Sequence, residues 1–332
     1  MASPRKIYFH GGIHFVTLSM REGIMLPPNP LTKELLLKCL AQAQTLHPVN
    51  ISHFLASSTH VHFLMRVIDP SDAADFVERF KTESSHALNR MLGRYRNNWC
   101  EGYDSPLIPD LATAIEKIAY IYSNPAKDYM ADSVEYYPGF NTWRQFMEYG
   151  SRSVAVKQYE TRYLARTAFE GLLPTKSKNP LREEDYRRIR RHLIHGKMKN
   201  HFEVDLMSWM ERYNVTSKEE QLEVNQKILA RTRELEAEYR AQREAAGHKV
   251  FSRREVVETP IGHPYTPDRT GKKMLVHCID PKLRRKTIKW IKGLEALAKE
   301  VQERWKLGDY SVPYPEGLFP PNGMRLQEPI DW

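Results

Sequence analysis

The sequence predicts an α+β fold in which an antiparallel sheet carries helices on one face and a mostly α-helical, basic extension follows. In the first half of the chain, short runs rich in β-branched and aromatic residues alternate with longer runs of helical periodicity. The composition then changes near Gly150. With 332 residues, 41% of them hydrophobic, the chain is long enough for about two domains.

The first four predicted elements cover residues 13 to 67. Residues 13–20 form a β-like run, and three prolines then interrupt the chain before a helical run at 31–46. Residues 51–56 and 61–67 predict a second and a third strand, joined by a short polar turn at Ser57-Ser58-Thr59. A hairpin of these two strands is therefore expected.

A long amphipathic helix is predicted to begin at Ser71, followed by a short strand at 105–108 and a helix from Leu111 to about Lys127. The resulting order is β-α-β-β-α-β-α. This order matches a split βαβ, ferredoxin-like sheet with its helices on one face.

The second half is predicted to be mostly helical, with helices at 183–194, 217–246 and 283–305. The helix at 217–246 has few apolar residues, so it should be mostly solvated or lie along another helix or a nucleic acid. A proline-rich tail at 308–332 should run extended over the surface. We therefore expect a catalytic domain at 1–150 and a basic helical extension at 151–332.

The net charge of +9 is concentrated in the second half. Residues 1–150 carry 14 Lys and Arg against 15 Asp and Glu, which leaves 36 basic and 26 acidic residues for 151–332. Such a surplus indicates a polyanionic partner, and it predicts that any affinity for nucleic acid resides mainly in the extension. A solvated basic surface is the alternative interpretation.

Cysteine usage and hydropathy indicate a cytoplasmic protein. The three cysteines are far apart in sequence and form no C-x-x-C pair, so they predict neither a disulfide framework nor a thiolate metal site. The chain has no apolar run near the roughly 20 residues that a membrane span requires.

His60-Val61-His62 lies inside the third predicted strand. Because side chains alternate along a strand, both imidazoles should point to the same face. Two imidazoles on one face can share a divalent ion. An H-x-H pair alone is weak evidence, since two ordinary histidines on a polar sheet face give the same pattern.

Tyr120 and Asn124 lie four residues apart in the helix predicted at 111–127. They should share one helix face, so that this face offers a nucleophile and a neutral oxygen ligand. Tyr122 should point in nearly the opposite direction and is predicted to be a core aromatic residue. Pro125 should weaken or bend the helix just after Asn124.

Taken together, three motifs resemble the single-tyrosine HUH transposases, with the REP-associated tyrosine transposases as the most similar branch. They are His60-Val61-His62 after its small polar turn, the segment WCEGYD at 99–104, and Tyr120-Ile121-x-x-Asn124-Pro125. The resemblance covers about residues 8–145. Three motifs in the same order are more specific than any one of them.

This resemblance implies a ferredoxin-like nuclease that cuts and rejoins single-stranded DNA at or near hairpins. It implies His60, His62 and Asn124 as metal ligands and Tyr120 as the nucleophile that forms a covalent phosphotyrosine. The mixed nitrogen and oxygen ligands suit Mg²⁺ or Mn²⁺ without excluding Zn²⁺. The partner is then single-stranded or hairpin DNA, and whether the protein forms a homodimer is left open.

Two alternative functions remain at this point. One is a rolling-circle or relaxase-type nickase, which would require a plasmid-like origin. The other is a catalytically silent nucleic-acid-binding regulator on the same fold. The intact set of His60, His62, Tyr120 and Asn124 argues against the silent regulator.

Two basic clusters in the extension are candidate DNA contacts. Each could bind phosphates or simply be a solvated helix face. Trp290 stands within the second cluster, where an exposed indole could stack on a base and a buried one would belong to the helix's apolar face. The clusters are Arg187, Arg188, Arg190 and Arg191, and Arg284, Arg285, Lys286 and Lys289.

Overall fold

A computed structural model describes residues 7–21, 25–92, 96–149, 156–162, 184, 187, 199–260 and 274–320. Apart from the strand at 105–108, the elements predicted between residues 13 and 127 begin within one residue of the observed bounds. In chain order the described elements are β1 (Ile13–Ser19), α1 (Pro30–Leu46), β2 (Asn50–Ala56), β3 (His60–Arg66), α2 (Pro70–Leu92), α3 (Leu111–Lys127), α4 (Trp143–Tyr149), β4 (Val156–Arg162), β5 (Lys199–Asp205), a 3-10 helix (Ser208–Tyr213), α5 (Lys218–Ala245), α6 (Arg253–Glu258) and α7 (Pro281–Lys306).

The strands form one mixed sheet in the order β1-β3-β2-β5-β4. β3 lies between β1 and β2 and is antiparallel to both, which confirms the predicted hairpin and central antiparallel arrangement. β5 then pairs in parallel with β2, and β4 is antiparallel to β5. The two strands from the second half were not predicted from the sequence, where this region was expected to be mostly helical.

The segment expected to form a strand at 105–108 pairs with the free edge of β1 through isolated bridges instead. Bridges at Trp99, Asp104 and Leu107 run antiparallel to β1. Pro106 has no N–H to donate, so a continuous ladder cannot form here. The segment nevertheless occupies the position of the fourth strand of a ferredoxin-like sheet, beside β1.

The helices lie on both faces of the sheet, so the expectation that they share one face was wrong in this respect. On β3, Phe63 contacts Phe76 of α2 with ring centroids 6.1 Å apart, whereas His62 contacts Tyr120 of α3 at 5.5 Å. Neighbouring residues on a strand point to opposite faces. α1 packs against α2, and α3 covers the face that bears the histidines.

The hydrophobic core continues across residue 150. Phe202, Val204, Trp209 and Met210 are buried in the same apolar cluster as the central strands and α1. α5 then lies along α3, which is one of the environments expected for such a polar helix. The functional division at residue 150 stays a prediction, but the core itself is shared by both halves.

α7 is amphipathic, as predicted, and packs on a second, smaller apolar cluster built with Ile7, Val276 and Leu318. After α7 the described part of the proline-rich tail, as far as residue 320, has no regular secondary structure. The helix expected at 183–194 falls almost entirely outside the described residues. Among the described helices, none is both long and apolar enough to cross a membrane.

Candidate active site

β3 brings His60 and His62 together on the face covered by α3. Their ring centroids are 4.4 Å apart, as the alternation of side chains along a strand predicts. His62 is buried, with 4% of its surface exposed, and His60 is partly buried. The pair therefore lies at the border between the protein interior and solvent.

A threonine hydroxyl lies within hydrogen-bond distance of Nδ1 on each ring. Thr17 Oγ1 is 3.0 Å from Nδ1 of His62, and Thr59 Oγ1 is 2.9 Å from Nδ1 of His60. If Nδ1 donates to the hydroxyl, Nε2 carries the free lone pair of each ring. Nε2 of His62 is buried and has no hydrogen-bond partner among the described residues.

Burial favours the neutral form of both imidazoles. Desolvation is the largest cause that lowers the pKa of His60, and it also lowers the pKa of His62 well below the usual value. For His62 the neighbouring His60 and then Lys127 lower the pKa further. Only a neutral imidazole can bind a metal ion, so this environment favours the ligand form.

α3 presents Tyr120 and Asn124 to the same face. The helix begins after Asp110, whose carboxylate accepts a hydrogen bond from the Thr113 backbone N–H at 2.8 Å. Asn124 is completely buried, and neither polar atom of its carboxamide has a hydrogen-bond partner of good geometry among the described residues. The helix continues through Pro125 and ends at Lys127. Pro125 therefore does not end the helix at Asn124.

Two lysines flank the Tyr120 ring on the same stripe of α3. Lys127 Nζ donates a hydrogen bond to Tyr120 Oη at 2.8 Å and lies 5.0 Å from the ring centroid, and Lys117 Nζ lies 5.5 Å from that centroid. Burial is the largest single influence and lowers the pKa of Lys127, but the hydrogen bond to Tyr120 and the nearby charges of Tyr120 and Asp128 together outweigh it, so the net shift is upward. Sequence reasoning missed both lysines, although their spacing of three and seven residues from Tyr120 follows the helical period.

A histidine from the extension also reaches this face. The chain at Val276 bridges in parallel to Leu107, and His277 then lies 5.5 Å from the Phe15 ring. Burial and then Lys117 lower the pKa of His277 to about 3. No pattern in the sequence signals this contact, because about 260 residues separate His277 from Phe15.

Tyr122 belongs to the core, as predicted. It is fully buried, its hydroxyl lies 2.7 Å from His53 Nδ1 and 3.0 Å from Thr142 Oγ1, and its ring packs on Trp143 and Phe146. It does not face the histidine pair.

The structure describes all of the second basic cluster but only one residue of the first. Arg187 is helical and exposed, whereas Arg188, Arg190 and Arg191 lie outside the described residues. In the second cluster, Arg284 is partly buried and Arg285, Lys286 and Lys289 are exposed on α7, which begins four residues after His277. The second cluster is thus connected to the candidate site by a short stretch of chain.

The comparisons with known proteins agree with the motifs. Residues 8–123 match the model of the family described as "Transposase IS200 like", a match that contains His60, His62 and Tyr120 and ends one residue before Asn124. A solved structure of a REP-associated tyrosine transposase bound to a REP hairpin is similar, with 21% identity, a TM-score of 0.39, and coverage of 45% of this chain and 87% of that chain. No curated protein matches. Residues 8–123, about a third of the chain, are thus similar to the IS200-like transposases.

Proposed function

We propose that this protein is a metal-dependent single-strand DNA transposase that cleaves and rejoins DNA near hairpins through a covalent 5′-phosphotyrosine at Tyr120. One observation supports the proposal: a phenol, two imidazoles and a carboxamide converge on one face, where Asn124 reaches His60. Among the described residues, neither the Asn124 carboxamide nor Nε2 of His62 has a hydrogen-bond partner of good geometry. Buried polar atoms without partners are costly unless a ligand satisfies them.

His60, His62 and Asn124 fit a divalent metal ion. Their donors would be two imidazole nitrogens and one amide oxygen, and the threonine hydroxyls at Nδ1 orient the rings as in other metal sites. Mg²⁺ or Mn²⁺ is the ion that we propose. When bound, it supplies positive charge that offsets the charge of the scissile phosphate.

Tyr120 is the nucleophile in this proposal, and Lys127 holds its oxygen. The phenol loses its proton to water, its oxygen bonds to phosphorus, and the bond from phosphorus to the 3′ oxygen breaks, so that the 3′ oxygen takes up a proton. The ammonium group of Lys127 stabilises the negative charge that develops on the tyrosine oxygen. Since the phosphotyrosine keeps a phosphodiester, a free 3′-hydroxyl can reverse the step without ATP.

The test is the covalent adduct between the protein and single-stranded hairpin DNA in Mg²⁺ or Mn²⁺. Tyr120→Phe removes only the nucleophilic oxygen and should abolish the adduct while leaving folding and DNA binding unchanged. Tyr122→Phe is the matched control, because it removes a hydroxyl from the same helix on the other side. An undiminished adduct in Tyr120→Phe, or its loss in Tyr122→Phe with the fold intact, would contradict the assignment.

The metal is tested separately. His62→Ala should remove cleavage and lower Mn²⁺ affinity, because water cannot hold the same position as a fixed imidazole. Asn124→Ala should have a milder effect, since water can replace one neutral oxygen ligand. Full cleavage by His62→Ala in buffer treated with a chelator would exclude the proposed metal site.

A further inference from the structure

The first half of α7 is a basic helix surface on which one large aromatic side chain is exposed. Between residues 281 and 294 the helix carries six cations and no acidic residue. None of the six forms an ion pair with another residue that the structure describes, and Trp290 among them is 48% exposed. The cations are Lys282, Arg284, Arg285, Lys286, Lys289 and Lys292.

Phe9 packs against one face of the Trp290 indole and supports it. The two ring centroids are 4.6 Å apart with an interplanar angle of 32°. Phe9 is itself confined, because a side chain at Gly317 would meet its ring at 2.9 Å, and the Tyr8 N–H donates to the Gly317 carbonyl at 2.9 Å. The indole therefore rests on a fixed support, which reduces the entropy lost when a ligand packs on it.

The outer side of Trp290 is open. Gly293 follows it at i+3, on the same side of the helix, and outside the local backbone of α7 no atom of the described residues lies within 4 Å of the position that a Cβ there would occupy. Lys286, at i−4, and Lys289 are exposed beside the indole. An open aromatic face among unpaired cations combines the two features that bind single-stranded nucleic acid, base stacking and phosphate attraction.

We infer that Trp290, supported by Phe9, is a stacking site for a nucleobase of single-stranded DNA whose phosphates contact the cations of α7. The inference rests on the proposed function for the identity of the polymer, and it adds the place where a base is held. Trp290 lies about 14 Å along the helix axis from Pro281. The helix begins close to His277, so the stacked base would belong to DNA that leaves the candidate active site along α7.

The probes are oligothymidylate of about 20 nucleotides, which exceeds the site of a single binding module, and an abasic oligomer with the same number of phosphates. Trp290→Ala should weaken oligothymidylate binding about tenfold and leave abasic binding unchanged. Trp290→Tyr should restore most of the affinity. Neither variant should alter the salt dependence of binding, since no phosphate contact is lost.

Leu297→Ala is the matched control. Leu297 is 43% exposed on the same helix, two turns beyond Trp290 and past the basic stretch, and its removal should change neither affinity. An equal loss for both oligomers in Trp290→Ala would mean that the indole supports the fold or backbone contacts, and no loss for either would mean that the surface serves another partner, such as a protein. Both results would overturn the inference.

Failure of the proposed function gives a different result. If oligothymidylate binding depends on Trp290 but no Tyr120 adduct forms, the stacking site is supported and the transposase mechanism is contradicted. If the Tyr120 adduct forms normally and Trp290→Ala binds both oligomers as tightly as the wild-type protein, the mechanism is supported and the stacking site is contradicted.

Discussion

Two long charged helices of the C-terminal half, α5 and α7, use their cations in opposite ways. On α5, Arg231 forms a two-pronged ion pair with Glu116 of α3 at 2.7 and 3.2 Å, and Arg233 pairs with Glu135. On the first half of α7, the cations have no described ion-pair partner. α5 therefore ties down the helix that carries Tyr120, and we expect the unpaired cations of α7 to serve an external polyanion instead.

Neighbouring contacts strengthen the role of α5. Glu236 of α5 accepts a hydrogen bond from the Val134 N–H at 2.7 Å, and Tyr239 is close enough to Tyr120 and Lys127 for their charges to affect its pKa. α5 therefore packs behind the candidate site and along the loop that follows α3. Changes in α5 should alter chemistry, whereas changes in α7 should alter DNA affinity.

The largest expected effect is the loss of DNA affinity when α7 is neutralised. Replacing Arg284, Arg285, Lys286 and Lys289 with Gln should lower the salt slope by up to about 2.8, at roughly 0.7 per phosphate contact, which corresponds to a loss of several hundredfold near 0.1 M salt. Cleavage at saturating DNA should persist. Binding titrations at several salt concentrations measure both quantities.

A pair of substitutions at the other end of α7 is the control for charge alone. Lys299→Gln with Lys306→Gln removes as much charge as Arg285→Gln with Lys286→Gln, but it lies outside the basic stretch. The two pairs should differ clearly in salt slope. Equal slopes would mean that α7 acts only through the net charge of the protein, and the contrast with α5 would lose its basis.

A smaller effect is expected at low pH, where the buried His53 in the core behind the candidate active site should lower the free energy of unfolding. Burial lowers the pKa of His53 to about 3, against about 6.5 in an unfolded chain. Its contribution to stability is complete above pH 6.5 and falls as pH drops, because only the unfolded state takes up the proton. At pH 5, this difference in pKa should lower the free energy of unfolding by about 2 kcal/mol relative to its value above pH 6.5.

Urea unfolding at pH 7 and pH 5 measures this cost. His53→Gln should be less stable at pH 7, since it loses the contact with Tyr122, but its stability should fall less on acidification. An identical pH dependence in the variant would show that His53 is not responsible.

The smallest expected effect is the coupling between α5 and α3. In a double-mutant cycle with Arg231→Gln and Glu116→Gln, the partly exposed pair should give a coupling of about 1 kcal/mol in unfolding free energy. Each variant should also slow adduct formation severalfold, because α3 holds Tyr120 less firmly, while DNA affinity stays unchanged.

Lys227→Gln is the matched control on α5. Among the described residues, Lys227 forms one ion pair, with Glu223 at i−4, and both side chains are more than half exposed, so its loss should have almost no effect. If Arg231→Gln weakened DNA binding and left adduct formation intact, α5 would belong to the DNA surface and the contrast between the two helices would be wrong.

Local periodicity accounts for what could be predicted. Strand alternation places His60 and His62 on one face of β3, and helical spacing places Tyr120 and Asn124 on one face of α3. Each pair could therefore be predicted from its own segment alone. Thr17 could not be assigned from sequence, because its contact with His62 depends on the register between β1 and β3. Lys117 and Lys127 shared the helical stripe of Tyr120 and could have been found by extending the same spacing.

Apart from the segment at 105–108, the sequence by itself determined the helices and strands between residues 13 and 127, because hydrophobic periodicity, prolines and capping residues act over a few residues. It also determined the strand pair His60 and His62, the helix pair Tyr120 and Asn124, and the excess of cations in the second half. The tertiary structure decided that α3 lies opposite α1 and α2, that β5 joins β2, that His277 reaches Phe15, and which cations are paired. These contacts join segments that are far apart in the sequence. The residue pattern of one segment does not show which distant segment will pack against it.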